Sequence, residues 1–308
     1  MAPERHRPSG SDELDSVLRR YHEAIHDGGK GDAEIAFHEL AALLDERQQS
    51  GAAAQPDSFE DAALREEAGD WNDAERIYRA LLRPTIAIPA LECRVHSCLS
   101  TMCLFLHREG EALHHAEAAL LAAGRASLAT GHLAMLLLHK AQILIKMRRT
   151  EEAHLVIDQL FCAVGEQSLY EQSRSRATVL RAECYLHHGR LSDAKGALAS
   201  VFSVLDRMSR TPFAAGALLD LAEWWSVTAK LRAMGEGEDT SLPAWHQAVE
   251  TLRAMLSMPH AHSVYNELTL AEKLSAYGAA LMACGHGDSA QDAIAQAQAI
   301  FCRYHCQW

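Results

Sequence analysis

A chain of 308 residues that is 48% hydrophobic but only 6% aromatic can bury a sizeable core, built here mostly from alanine and leucine. Its net charge of −12 with neutral histidines argues against a nucleic-acid backbone or an anionic membrane surface as partner, since both reward a basic face. The most apolar run, Leu133 to Met147, is interrupted by His139, Lys140 and Gln142 and is too short to cross a bilayer.

Residues 1–11 are polar and partly acidic with no apolar core, which predicts a disordered tail rather than a secretory or mitochondrial leader. Two amphipathic segments predict a helical pair over 12–47, split by Asp27-Gly28-Gly29-Lys30-Gly31. Residues 48–57 are low in complexity and read as a linker. From Ser58 onward the apolar spacing is helical and no period-two pattern persists, so 58–308 reads as one helical array.

Within that array a small residue is followed twelve positions later by an alanine four times: Ala62 and Ala74, Ala141 and Ala153, Ala182 and Ala194, Gly278 and Ala290. Cys103 and Ala116 form a fifth pair, one residue longer. A turn signal separates the members of each pair, as in His188-Gly189-Arg190. A larger apolar residue follows the alanine four positions on: Tyr78, Leu120, Ile157, Leu198 and Ile294. Such spacing predicts two helices that cross so closely that only small side chains fit. The first four alanines recur every 37 to 42 residues, and the longer step from Ala194 to Ala290 leaves room for two repeats. Gly235 through Pro243 reads as a polar insertion at 235–243, with Ala248 as the alanine of the interrupted repeat. The last helix, about 288–304, reads as a cap. The pattern resembles the tetratricopeptide repeat in stretched form. It predicts an all-α, right-handed superhelix of about six helix-turn-helix repeats, an α-solenoid.

The first helix of each repeat is expected to line the concave side. Counting by turns from Ala141 and Ala182 places Gln142, Lys146, Arg176, Glu183 and His187 there as candidate partner-binding residues. Glu183 would repel a carboxylate, which speaks against a clamp for a C-terminal carboxylate. The eight cysteines fall mostly on apolar faces, as small reduced core residues. Cys93, His96, Cys98, Cys103 and His107 share one helix, but the five-residue steps between the cysteines rotate them around it. Cys302 and Cys306 share a face yet supply too few ligands, even with His286, so no metal is expected. The histidine pairs His114-His115, His187-His188 and His260/His262 read as solvent-facing residues at helix ends or turns. No phosphate loop, HExxH or G-x-S-x-G occurs. A non-catalytic scaffold without cofactor or small-molecule substrate is therefore expected, nuclear or cytoplasmic, whose partners are other protein subunits.

The stretch from Glu111 to Leu186, which ends in Arg176-Ala177 and Ala182-Glu183-Cys184, resembles the C-terminal repeats of anaphase-promoting complex (cyclosome) subunit 5. Gly69-Asp-Trp-Asn-Asp-Ala74 and the segment 235–243 fall where that family has comparable features, so the resemblance covers roughly 60–300. Family members are generally longer, with a substantial helical N-terminal region; here fewer than sixty residues precede the first repeat. The resemblance implies a structural subunit of a multi-subunit ubiquitin ligase acting in mitosis. Two other readings are a free-standing adaptor that takes a peptide or helix in its concave groove, and a ligand-sensing helical-repeat domain.

Overall fold

The computed structural model describes residues 58–85, 89–211, 214–258 and 261–306. The predicted tail 1–11, helical pair 12–47 and linker 48–57 all lie outside them. The described residues form twelve α-helices. In order these are α1 (Phe59–Glu67), α2 (Trp71–Thr85), α3 (Pro89–Phe105), α4 (Glu109–Ala126), α5 (Thr130–Lys146) and α6 (Thr150–Val164). After a short 3₁₀ turn come α7 (Glu171–His187), α8 (Leu191–Ser209), α9 (Ala215–Glu236), α10 (Glu238–Leu256), α11 (Val264–Ala283) and α12 (Gly287–Arg303). Consecutive helices pack as six helix-turn-helix pairs, a tetratricopeptide-like repeat fold.

Each pair crosses where the small residues were read. Ala62, Ala74, Cys103, Ala153, Ala182, Ala194 and Ala290 have no solvent exposure, Ala141 and Ala116 almost none, and Gly278 is buried. Gly278 leaves no room for a side chain at its crossing. A Cβ built there would lie 2.7 Å from Cγ1 of Ile294 and 3.2 Å from the Ala290 carbonyl oxygen. The second contact is backbone and cannot swing aside. Gly278→Val should lower stability by about 2 kcal/mol, within the usual cost of overpacking. A thermal melt of the variant checks this, and an unchanged melting temperature would show that the α11–α12 crossing has slack.

Five of the six turns close in the same way. The first helix ends in a left-handed residue, at Gly69, His107, Arg148, Gly189 and Gly285. The next amide then reaches back five residues, as in Asp70 to Arg65 O at 2.8 Å, Arg149 to Leu144 O at 2.8 Å and His286 to Leu281 O at 2.9 Å. This Schellman closure satisfies carbonyls at the helix end and favours glycine at the left-handed position. Two turns place a side chain there instead, His107 (φ 56°) and Arg148 (φ 61°).

The sixth turn corrects the sequence reading. Residues 235–243 are not an insertion: α9 runs through Glu236 and α10 begins at Glu238, with Gly237 (φ 100°) as the break. The acidic residues that suggested a loop, Glu238 and Asp239, occupy the first turn of α10, where the helix dipole favours them. Thr240 Oγ1 donates to the Gly237 carbonyl and Ser241 Oγ to that of Glu238, each at 2.7 Å, which anchors the start of a helix that contains Pro243.

The first pair also meets the last. One continuous core joins Ala62, Trp71, Ala74, Ile77 and Tyr78 to Leu252, Leu268, Ala290 and Phe301. Polar contacts stitch the same seam. Trp71 Nε1 donates to the Tyr304 carbonyl at 2.5 Å, and the Val264 amide donates to Glu67 at 2.8 Å. Buried Glu66 accepts from the hydroxyls of Tyr78, at 2.6 Å, and Tyr265. Burial raises the Glu66 carboxyl to about 7, against the Tyr78 bond that favours its charged form. The helix read as an end cap thus docks at its C-terminal end beside the turn of the first repeat, where the Tyr304 backbone would lie 3.3 Å from a Cβ on Gly69.

Candidate ligand-binding cavity

The first helices α5, α7, α9 and α11 face inward and enclose a cavity of about 340 Å³. All five candidate residues, Gln142, Lys146, Arg176, Glu183 and His187, line it. So do six charged residues that the spacing argument missed: Arg148, Asp220, Glu223, Lys230, Glu272 and Lys273.

The charges alternate across neighbouring helices. Lys146 Nζ lies 2.8 Å from Glu272, Lys273 Nζ 2.9 Å from Glu223, and Lys230 Nζ 2.5 Å from Glu183. Burial works to raise the carboxyls of Glu183 and Glu272, but the adjoining lysines outweigh it and hold both below the usual range. Burial likewise works against the Lys273 ammonium, and Glu223 and Glu272 overcome it to hold the amine charged. Glu183, which the sequence suggested would repel an anion, therefore has its charge cancelled by Lys230.

The two arginines are held differently. Arg176 Nε is 3.5 Å from Asp220 Oδ1, and Nη2 reaches Gln142 Oε1 at 3.4 Å. Asp220 is 2% exposed; Gln172 donates to its Oδ2 at 2.9 Å, while its Oδ1 has no hydrogen-bond partner. Burial raises its carboxyl, only partly offset by Arg176. Arg148 Nη1 sits 2.6 Å from His187 Nδ1. Burial and then Arg148 push the His187 imidazole below its ordinary value.

The cysteines and histidines singled out as conceivable metal ligands are dispersed. Cys93 packs with Ala119 and Ala122, whereas Cys103 packs with Ala112 and Ala116. Cys98 packs against the seam core beside Tyr78, and burial pushes its thiol to about 12. Cys302 is exposed and Cys306 half-buried. Among the described residues no group of three or more His, Cys, Asp and Glu is placed to hold a metal ion. His115 departs from the expectation of a solvent-facing histidine. It is 5% exposed in the second turn of α4, and its Nδ1 lies 2.9 Å from Nδ1 of His96. Among the described residues no helix is long and apolar enough to cross a membrane.

No family model matches the sequence, and no curated protein does. Among solved structures, the chain is similar to a Rap protein complexed with Competence and Sporulation Factor. The identity is 10%, 96% of this chain and 98% of that one are covered, and the TM-score is 0.56. BtubC (BKLC) from P. vanneervenii also aligns, at 14% identity over 98% of this chain and 94% of that one. Its TM-score of 0.42 is too low to bear on the fold. The likeness to the Rap structure is one of fold: consecutive helix-turn-helix pairs of tetratricopeptide-like type.

Proposed function

We propose that this protein acts by binding rather than catalysis, as a repeat adaptor that seats a short polar segment of a partner protein in its central cavity. The observation that carries this reading is the convergence of inward-facing charges from four different repeats on one cavity. Buried ion pairs roughly break even against apolar packing. A charged centre where leucine would serve the fold as well therefore points to recognition.

The volume limits the occupant. An α-helix is about 10–12 Å across with its side chains, and 340 Å³ lies at the low end of ligand pockets. A few extended residues or a chain terminus fit, and a partner helix does not. The lining favours binding over chemistry: it has no serine, threonine or cysteine, and Glu183 and Glu272 are held ionised and unsuited to give up a proton. That the Rap structure holds its chain in complex with Competence and Sporulation Factor adds support by likeness of fold.

The adaptor reading is favoured over a subunit of the anaphase-promoting ligase. The stretch 111–186 covers α4 to α7, and its alanines sit at crossings that every repeat here shares. Architecture alone accounts for that resemblance. Gln142→Trp, which projects an indole into the cavity, should abolish retention of short peptides and leave the melting temperature within a degree or two. Equal retention by this variant and the wild type would move binding away from the cavity.

A further inference from the structure

The cavity's charges are not all committed. Each lysine has a carboxylate within 2.5 to 2.9 Å, whereas neither arginine makes a close carboxylate contact inside the cavity. A guanidinium carries five N–H donors in a planar fork that matches an oxyanion. Arg176 makes one long hydrogen bond, to Gln142, and its nearest carboxylate oxygen is 3.5 Å away. Arg148 meets only the ring of His187, which its own charge helps to keep neutral.

The backbone at Arg148 strengthens the case. It occupies a left-handed position that three of the four equivalent turns fill with glycine, Gly69, Gly189 and Gly285, and the fourth with His107. A side chain there is disfavoured for steric reasons, and nothing in the turn's own hydrogen bonds requires one.

We propose, building on the adaptor reading, that the occupant presents one carboxylate to Arg148 and Arg176. Five cations face four carboxylates in the lining, a surplus of a single positive charge. One carboxylate balances it. A phosphate dianion would meet Glu183, Asp220, Glu223 and Glu272 with one negative charge too many. The carboxylate comes from a peptide's C-terminus or from an acidic side chain.

The test uses an N-acetylated tetrapeptide pool without Asp or Glu, prepared with free and with amidated C-termini, on the immobilised full chain. The free-acid pool should be retained at least about tenfold better, the scale of one charged hydrogen bond. Arg148→Gly and Arg176→Gln should each erase that preference. Arg148→Gly should melt no lower than the wild type, because glycine relieves the turn, so its loss of binding cannot be a loss of fold. A pool of the same length with internal Asp or Glu and an amidated end separates the two carboxylate sources. Equal retention of acid and amide pools, still blocked by Gln142→Trp, would overturn the carboxylate proposal and leave the adaptor reading standing. No retention of any pool would remove both. Stabilisation by inorganic phosphate that depends on both arginines, with no preference for the free acid, would replace the carboxylate by a phosphate.

Discussion

Glu66→Ala should destabilise the protein by about 3 kcal/mol and loosen the first and last described pairs before those between them. The carboxylate accepts from two phenols at the seam, Tyr78 on α2 and Tyr265 on α11. Without it both hydroxyls lose their acceptor, and Tyr78 has no exposure to water. Each unsatisfied buried group costs about 1–3 kcal/mol. Relief from burying a carboxyl at 5% exposure offsets part of that sum. Hydrogen exchange should accelerate first in α1, α2, α11 and α12, and Glu66→Gln, which keeps an acceptor, should restore most of the protection. Uniform loss across all twelve helices would show that the seam is not a separate joint.

Acid should unfold the protein in two stages. His139 on α5 meets Ser100 Oγ through Nε2 at 2.9 Å, and Ser100 donates its one proton to the Ala112 carbonyl at 2.7 Å. Nε2 therefore carries the ring's proton, and burial with Arg176 and Lys146 nearby depresses the imidazole to about 4. The unfolded chain takes up this proton first as pH falls. Stability worth roughly 3 kcal/mol is thus complete above pH 6.5 and is lost toward pH 4. His115 adds to the loss in the same direction, because protonating it as well as His96 would set two N–H groups head to head.

Glu66 opposes this. Its carboxyl is raised to about 7 from 4.5, so the folded state binds that proton first and gains stability as pH falls across the interval. Glu75 is different. The Arg108 bond, against burial and with help from Arg79, lowers it to about 2, and its stabilising share is lost only below pH 4.5. The urea midpoint should therefore decline gently from pH 7 to 4.5 and steeply below. In Glu66→Gln the decline should be steep from pH 6.5. A wild-type midpoint that holds level to pH 3 would contradict these assignments.

The repeat pairs were legible because close crossing is a local steric demand. Each small residue lies a fixed turn-and-a-helix from its partner, so Ala141 with Ala153 and Ala182 with Ala194 can be read in one dimension. The concave residues on α5 and α7 followed by counting turns from those alanines. The charges on α9 did not, because the interrupted repeat had no recognised small residue from which to count along it; on α11 Gly278 was recognised, but no count was run back from it to Glu272 and Lys273. A signal was present: Asp220 and Glu223 stand three apart on a largely apolar helix, and Glu272-Lys273 interrupts another. The seam was not legible at all. Its contacts span separations such as 199 residues between Glu66 and Tyr265, set by the accumulated rotation across four intervening repeats rather than by any local pattern. At 235–243, composition misled because proline, glycine and acidic residues suit a helix start as well as a loop.

The seam between first and last pairs also bears on how such a chain can change over time. An open solenoid gains or loses a repeat at little cost, since each unit answers only to its neighbours. Here a duplicated or deleted pair would carry Tyr265 and Tyr304 past Glu66 and Trp71, exposing one core to water and dispersing the cavity's charges. Change by whole repeats is closed to this array unless the seam is first surrendered, and variation is confined to side chains within the six described pairs.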